Sequence, residues 1–201
     1  MTIQSNVINE HNELLAQESN IQRLQEAYAL LSTSPSRGVA ELEEMAKGGS
    51  VLSMLYLANH YHRGAHADLE QAERWYRQAY ERNAMNSFSG LGAICFSQAR
   101  YREAEEIFMN GTLRGDGVSM YWLAEMYRRK FVCRRDKFDV KELLERSMSL
   151  GQIRAKNRLA FMLLRGTYGL KNVPRGVGLY FSSIIDGCRV GLRNPDDRRL
   201  W

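Results

Sequence analysis

The sequence predicts an all-α fold, an α-solenoid of about five antiparallel helix pairs. Three observations predict it. The 201 residues hold only three prolines and lack the short, turn-punctuated runs of an all-β chain. Two separate landmarks recur with steps of 32 to 36 residues, the period of stacked helical hairpins. And each copy ends in Gly or Asn, the residues that enter the left-handed backbone of a helix C-cap most cheaply.

The first landmark is a Leu followed by a small residue. "LANHYHRG" from 57 aligns with "LGAICFSQ" from 91, "LAEMYRRK" from 123 and "LAFMLLRG" from 159, with steps of 34, 32 and 36. The second is a small or β-branched residue that opens a helix. "AERWYRQAYERN" from 72 aligns with "AEEIFMNGTLRG" from 104, "VKELLERSMSLG" from 140 and "GVGLYFSSIIDG" from 176, and with an earlier partial copy, "GVAELEEMAKGG", from 38. These copies end at Gly49, Asn83, Gly115, Gly151 and Gly187. Small residues such as Ala72 and Ala79 let two helix axes approach, while Trp75 and Tyr76 between them fill the groove to a neighbour. One hairpin cannot bury such a face alone, so hairpins stack.

Taken in order, residues 1–10 are polar and are expected to be disordered. A helix is expected from about His11 to Leu31, with Leu14, Leu15, Ile21, Leu24, Tyr28 and Leu31 at helical spacing. "STSPSRG", residues 32–38, reads as a turn, and a short helix from about Val39 to Lys47 completes a divergent first hairpin. Four hairpins follow at about 50–83, 84–115, 116–151 and 152–187, which makes residues 11–187 one continuous solenoid domain. The tail 188–201 contains "NPDD" as a turn and carries Leu192, Leu200 and Trp201, which could cap the stack or meet a partner.

These residues resemble the Sel-1-like repeat, a relative of the tetratricopeptide repeat. The resemblance covers roughly residues 37–187 and is best at Leu57, Ala58, Tyr61, Gly64, Ala72, Trp75, Tyr76 and Ala79. The second copy lacks the loop Gly, the third has Lys130 at that position, and the fourth has Gly176 as the first small residue of its second helix. The resemblance implies a right-handed superhelix and a role as an adaptor in assembling protein complexes, in bacterial signalling, envelope or virulence settings.

Charge is unevenly placed. Residues 1–100 hold 8 Lys and Arg against 11 Asp and Glu, and residues 101–201 hold 20 against 12. The basic C-terminal half suits an acidic partner, a nucleic acid or an anionic surface, or is simply a set of solvated helix faces. The run "YRRKFVCRRDK", residues 127–137, has six positive residues, but neither aromatics interleaved on an exposed sheet or groove nor a recognised nucleic-acid fold goes with it, so a solvated loop is its default. Cys95, Cys133 and Cys188 are far apart and form no CxxC pair, which reads as reduced thiols in a cytoplasm-like compartment. The first residues lack the cationic start and apolar core of a signal peptide, and no apolar run suggests membrane insertion.

Catalytic chemistry finds little purchase. No nucleophile elbow, zinc-protease, P-loop or dinucleotide motif occurs. His60, His62 and His66 lie around a loop without a Cys or Glu to complete a metal set. "EAEE", residues 103–106, lies beside Arg100 and Arg102 and reads as surface with local ion pairs. Cys95 falls on a helix that should be partly buried, so a packed thiol is expected rather than a nucleophile. No catalytic residue, cofactor or metal is therefore assigned.

By the resemblance, the first helix of each pair lines a concave face, and residues around the Leu-small pair point into it. That yields Asn59, His62 and Arg63, then Asn86, Ser89 and Phe96, then Tyr121, Glu125, Arg128 and Arg129, and finally Arg154, Asn157, Phe161 and Arg165. Arg offers a fork to carboxylates, Asn can bond an extended backbone, and rings grip apolar side chains. Several could equally be ordinary surface or core, Phe96 and Phe161 above all. The expected function is a non-catalytic protein interaction scaffold that binds an acidic or C-terminal peptide segment in this groove. Charge reversal at Arg128, Arg129 and Arg165 together is expected to abolish binding and spare helicity. The alternatives are a polyanion or nucleic-acid binder and, further off, a cell-wall or β-lactam hydrolase like cysteine-rich relatives of the family, whose regular cysteine pairs this chain lacks. Nothing in the sequence sets the oligomeric state.

Overall fold

The computed structural model describes residues 13–16, 18, 20–63, 67–132 and 139–193, with side chains to 190. The expectations for residues 1–10, Gly64, His66, Cys133, residues 134–137, the Leu192 side chain and the tail's Leu200 and Trp201 fall outside these. Helices account for every regular element among the described residues: a helical stretch at 13–16, then α1 Ile21–Thr33, α2 Pro35–Lys47, α3 Val51–His62, α4 Leu69–Glu81, α5 Met85–Ser97, α6 Tyr101–Leu113, α7 Gly117–Arg128, α8 Val140–Ser149, α9 Ile153–Leu164 and α10 Val173–Arg193. A 3₁₀ turn, Leu170–Asn172, leads into α10. None of the described helices is long and apolar enough to cross a membrane.

The described residues fall into two compact units, one ending at Ile107 and the other beginning at Phe108. In the first, α1 packs on α2 and α3 on α4, and α2 and α4 pack in turn on the helix that follows them. In the second, α7 packs on α8, α8 on α9 and α9 on α10. Each unit is thus built of consecutive antiparallel hairpins.

The turn between hairpins explains why the phase holds. Gly49, Asn83, Gly115 and Gly151 all have positive φ, at 103°, 60°, 88° and 84°. The next N–H reaches back across the turn: Ser50 to Met45 O, Ala84 to Ala79 O, Asp116 to Gly111 O and Gln152 to Ser147 O, at 2.8 to 3.2 Å. These bonds satisfy carbonyls that the helix end leaves open. The residue that makes them is also the N-cap of the next helix. Ser50 accepts from Ser53 N, and Asp116 from Val118 N and Ser119 N. One left-handed residue therefore ends one helix and sets the start of the next.

The crossing points are as small as the pattern requires. In α4, Ala72, Trp75, Tyr76 and Ala79 are the buried residues, one stripe at helical spacing. A Cβ on Gly38 would stand 2.7 Å from Leu31 N and 2.9 Å from Ala27 O. One on Gly176 would stand 2.9 Å from Leu163 Cβ and 3.1 Å from Ala160 O. Gly38 and Gly176 hold the same position in the first and last hairpins, and both are where the second helix touches the first.

Three boundaries differ from expectation. The helix expected from about His11 to Leu31 is interrupted: residues 13–16 are helical, and α1 starts afresh at Ile21, where the Asn20 side chain caps it by accepting from Arg23 N. The turn expected over 32–38 shrinks to Ser34. Proline tolerates a first helical position, where its missing N–H is no loss, so α2 begins at Pro35. Ser34, ahead of proline, is kept out of helical geometry, with φ −146° and ψ 73°. At the other end Gly187 does not cap its helix. α10 runs on to Arg193, and Val190 is buried on it, so apolar contact offsets the roughly 1 kcal/mol that a helical glycine costs.

Candidate functional site

In the N-terminal unit, several residues read as groove-lining are used inside their hairpin. Asn59 donates from Nδ2 to Leu55 O at 2.8 Å and accepts from Tyr76 OH at 2.8 Å. His62 Nδ1 lies 3.5 Å from the same hydroxyl, with its ring edge-on to Tyr76. Burial and the neighbouring Arg63 push the His62 pKa below its ordinary value. Arg63 is exposed just past α3, Ser89 is buried, Asn86 is half-buried, and the half-buried Phe96 ring lies 5.4 Å from that of Tyr101.

The same unit holds a ring of ion pairs that runs beyond the local pairing expected near Glu103. Arg77 bonds Glu73 and Glu103 at 2.5 and 3.0 Å, and Arg100 bonds Glu73 and Glu103 at 2.6 and 2.9 Å. Burial raises the Glu73 carboxyl, but the two arginines outweigh it and hold the pKa below the usual range. Possible ligand atoms of Glu73, Cys95 and Glu103 lie within 4.8 Å of one another. Both carboxylates are already neutralised, so a cation there would have to displace two arginines. Cys95 is a packed thiol, fully buried, and burial pushes its pKa up to about 11, far from an activated nucleophile.

In the C-terminal unit the residues expected to line a face do come together. On α7, Tyr121, Glu125, Arg128 and Arg129 follow one another at helical spacing. Glu125 is only 3% exposed, yet it is a carboxylate. Arg128 clasps it with two bonds, from Nε at 3.0 Å and Nη2 at 2.8 Å. Arg129 Nε adds a third at 3.1 Å. From α9, Arg158 Nε comes within 2.8 Å of the other oxygen, a charge contact rather than an aligned hydrogen bond. Burial favours the neutral acid, but Arg128, Arg158 and Arg129 together outweigh it, and the Glu125 pKa is lowered.

A second link joins the same helices, where the Arg154 guanidinium lies over the rings of Tyr121 and Trp122, at 5.6 and 5.9 Å. Phe161 is 42% exposed, with one edge against Tyr180. Asn157 Oδ1 is buried without a hydrogen-bond partner, and Arg165 is exposed just past the end of α9. Glu125 is thus a holder of arginines rather than a contact surface. Reversing Arg128 and Arg129 would strip a buried carboxylate of two cations, so that triple reversal would disturb the fold along with the face. Arg158 is the member that the sequence reading passed over. Its signal was an acid set between two apolar residues, Ala124 and Met126, which demands a cation from somewhere.

Elsewhere in this unit a cavity of about 300 Å³ opens beside Gln152, Lys156, Leu179 and Asp186. Its charged groups are engaged, since Lys156 Nζ bonds Ser182 Oγ and Asp186 Oδ2, each at 2.6 Å.

No protein-family model matches the sequence, and no curated protein matches it either. Among solved structures, the chain is similar to a Sel1 repeat protein from Oxalobacter formigenes. The TM-score is 0.70 at 16% identity, covering 82% of this chain and 70% of that one. It is also similar to a protective antigen present in uropathogenic Escherichia coli strains that displays an SLR fold. There the TM-score is 0.64 at 22% identity, covering 75% of this chain and 35% of the antigen chain. This chain therefore spans about a third of the antigen's length. At these identities the likeness is one of fold, the helical-hairpin solenoid of Sel1-like repeats.

Proposed function

We propose that this chain, which has the Sel1-like repeat fold, is a non-catalytic interaction scaffold, and that the face shared by α7 and α9 takes a peptide segment of a protein partner. The observation that supports this best is that Glu125 gathers Arg128 and Arg129, at the end of α7, with Arg158 of α9, while Arg154 of α9 lies over Tyr121 and Phe161 stands exposed one turn further along α9. Guanidinium forks suit carboxylates, and an exposed ring beside them suits an apolar side chain. The solved structures of similar fold carry this reading only at the level of architecture.

A photo-crosslinking residue placed at Phe161, and separately at Phe181 on α10, tests it. Phe181 is 61% exposed and serves as an off-face control. In source lysate, position 161 is expected to yield discrete polypeptide adducts that position 181 does not. Equal labelling from both positions, or labelling from 181 alone, would remove the face from consideration.

A further inference from the structure

We infer that Arg128, Arg129 and Arg158, organised by Glu125, form an oxyanion site that takes the side-chain carboxylates of an acidic peptide; this rests on the α7–α9 face reading above and names its chemistry. One carboxylate faces three guanidinium groups, which leaves two positive charges uncompensated. No other carboxylate of the described residues pairs with these three arginines. A cluster built only to neutralise Glu125 would need one arginine, and Arg128 already meets both carboxylate oxygens.

The donors are only partly consumed. Glu125 engages Arg129 by an Nε hydrogen bond and Arg158 by a charge contact at Nε, and no described residue bonds the Nη groups of either. The side chains of Arg128, Arg129 and Arg158 are 30%, 52% and 30% exposed, so solvent and ligands reach them. Binding through Nε also restrains two long side chains before any ligand arrives. The rotamer entropy that an incoming carboxylate would otherwise have to overcome is thereby reduced. Planar forks match carboxylate oxygens in pairs. Arg154, held over the buried Tyr121 ring, and the exposed Phe161 further along α9 fit a chain with side chains better than a bare inorganic ion.

The test uses the full chain, with acetyl-hexaglutamate amide as probe and acetyl-hexaglutamine amide and inorganic phosphate as comparators. Arginine Nε–Hε NMR signals report contact, and calorimetry reports affinity. Signals of Arg129 and Arg158 are expected to move with the glutamate peptide and to stay still with the glutamine peptide. R129Q is expected to weaken the glutamate peptide about tenfold, while its melting curve shows a folded protein, because Glu125 keeps Arg128 and Arg158. R189Q, an exposed arginine on α10 that belongs to no part of the face or the cluster, is expected to bind like the parent. Equal binding of the two peptides overturns the oxyanion site and leaves the peptide face standing. Equal losses from R129Q and R189Q overturn it in favour of diffuse charge. Phosphate moving the same signals at lower concentration than the peptide overturns the assignment to peptide carboxylates.

Discussion

The α-carbon of Gly38 is packed so closely on α1 that a methyl group there would stand 2.7 Å from the amide nitrogen of Leu31. The obstruction is backbone, which cannot rotate away as a side chain can. Gly38→Ala is therefore expected to destabilise the protein by about 2 kcal/mol, although alanine favours a helix by about 1 kcal/mol. Gly178→Ala supplies the contrast. It too lies within a helix, and nothing stands within 4 Å of its added methyl, so the propensity gain should appear as a stabilisation of up to about 1 kcal/mol. Urea unfolding of both variants decides the matter. Shifts of the same sign would mean that close approach of helices is not what fixes the small residues.

Left-handed geometry gives a second prediction. Ala99 has φ 58° and Lys130 has φ 60°, and the residues after them make the same reach-back bonds as the glycine turns, Arg100 to Cys95 O and Phe131 to Met126 O. A Cβ costs roughly 1–2 kcal/mol in that region, partly balanced by the greater unfolded-chain freedom of glycine. Ala99→Gly is expected to raise stability by about 0.5 kcal/mol, and Gly115→Ala to lower it by about 1 kcal/mol. A loss of stability in A99G by the same urea measurement would show that the turn is not strained.

These two positions also mark how far the sequence could be read. Gly49, Asn83, Gly115 and Gly151 announce their turns because few residues enter positive φ cheaply. Ala99 and Lys130 adopt the same backbone without that signature, since packing of the flanking helices imposes it. Gly187 carries the signature without the turn, because Val190 continues the buried pattern. Ser34 alone makes a hairpin link because Pro35 is content to start a helix. On the candidate face, helical spacing puts Tyr121, Glu125, Arg128 and Arg129 on one side of α7 and its C-cap, and the structure has Arg128 and Arg129 on Glu125 there. Spacing could not say that Glu125 is 3% exposed, nor that its third cation arrives from the next hairpin, because pairing across helices depends on how the helices lie.

Glu125 supplies the last prediction, in acid. Burial pushes its pKa up, the three arginines push it down harder, and the net shift is downward. A carboxyl with a depressed folded pKa stabilises the protein fully above its unfolded value, about 4.3. That contribution is then lost as pH falls from there through the lower folded value, because protonation removes the charge that holds the arginines. Glu125→Gln should remove it at every pH and leave the arginines without a charged partner. The expected cost near pH 7 is about 1–2 kcal/mol, below the 3–5 typical of a broken buried pair because the arginine heads are partly in water. Glu73 is also depressed, so the parent's own acid sensitivity has at least two sources, and only the difference between parent and E125Q isolates this one. That difference, read from urea unfolding at a series of pH values, should be largest near neutrality and shrink steadily below about pH 4. A gap that stays constant down to the acid limit of folding would mean that the shape of the side chain matters at position 125 and its charge does not.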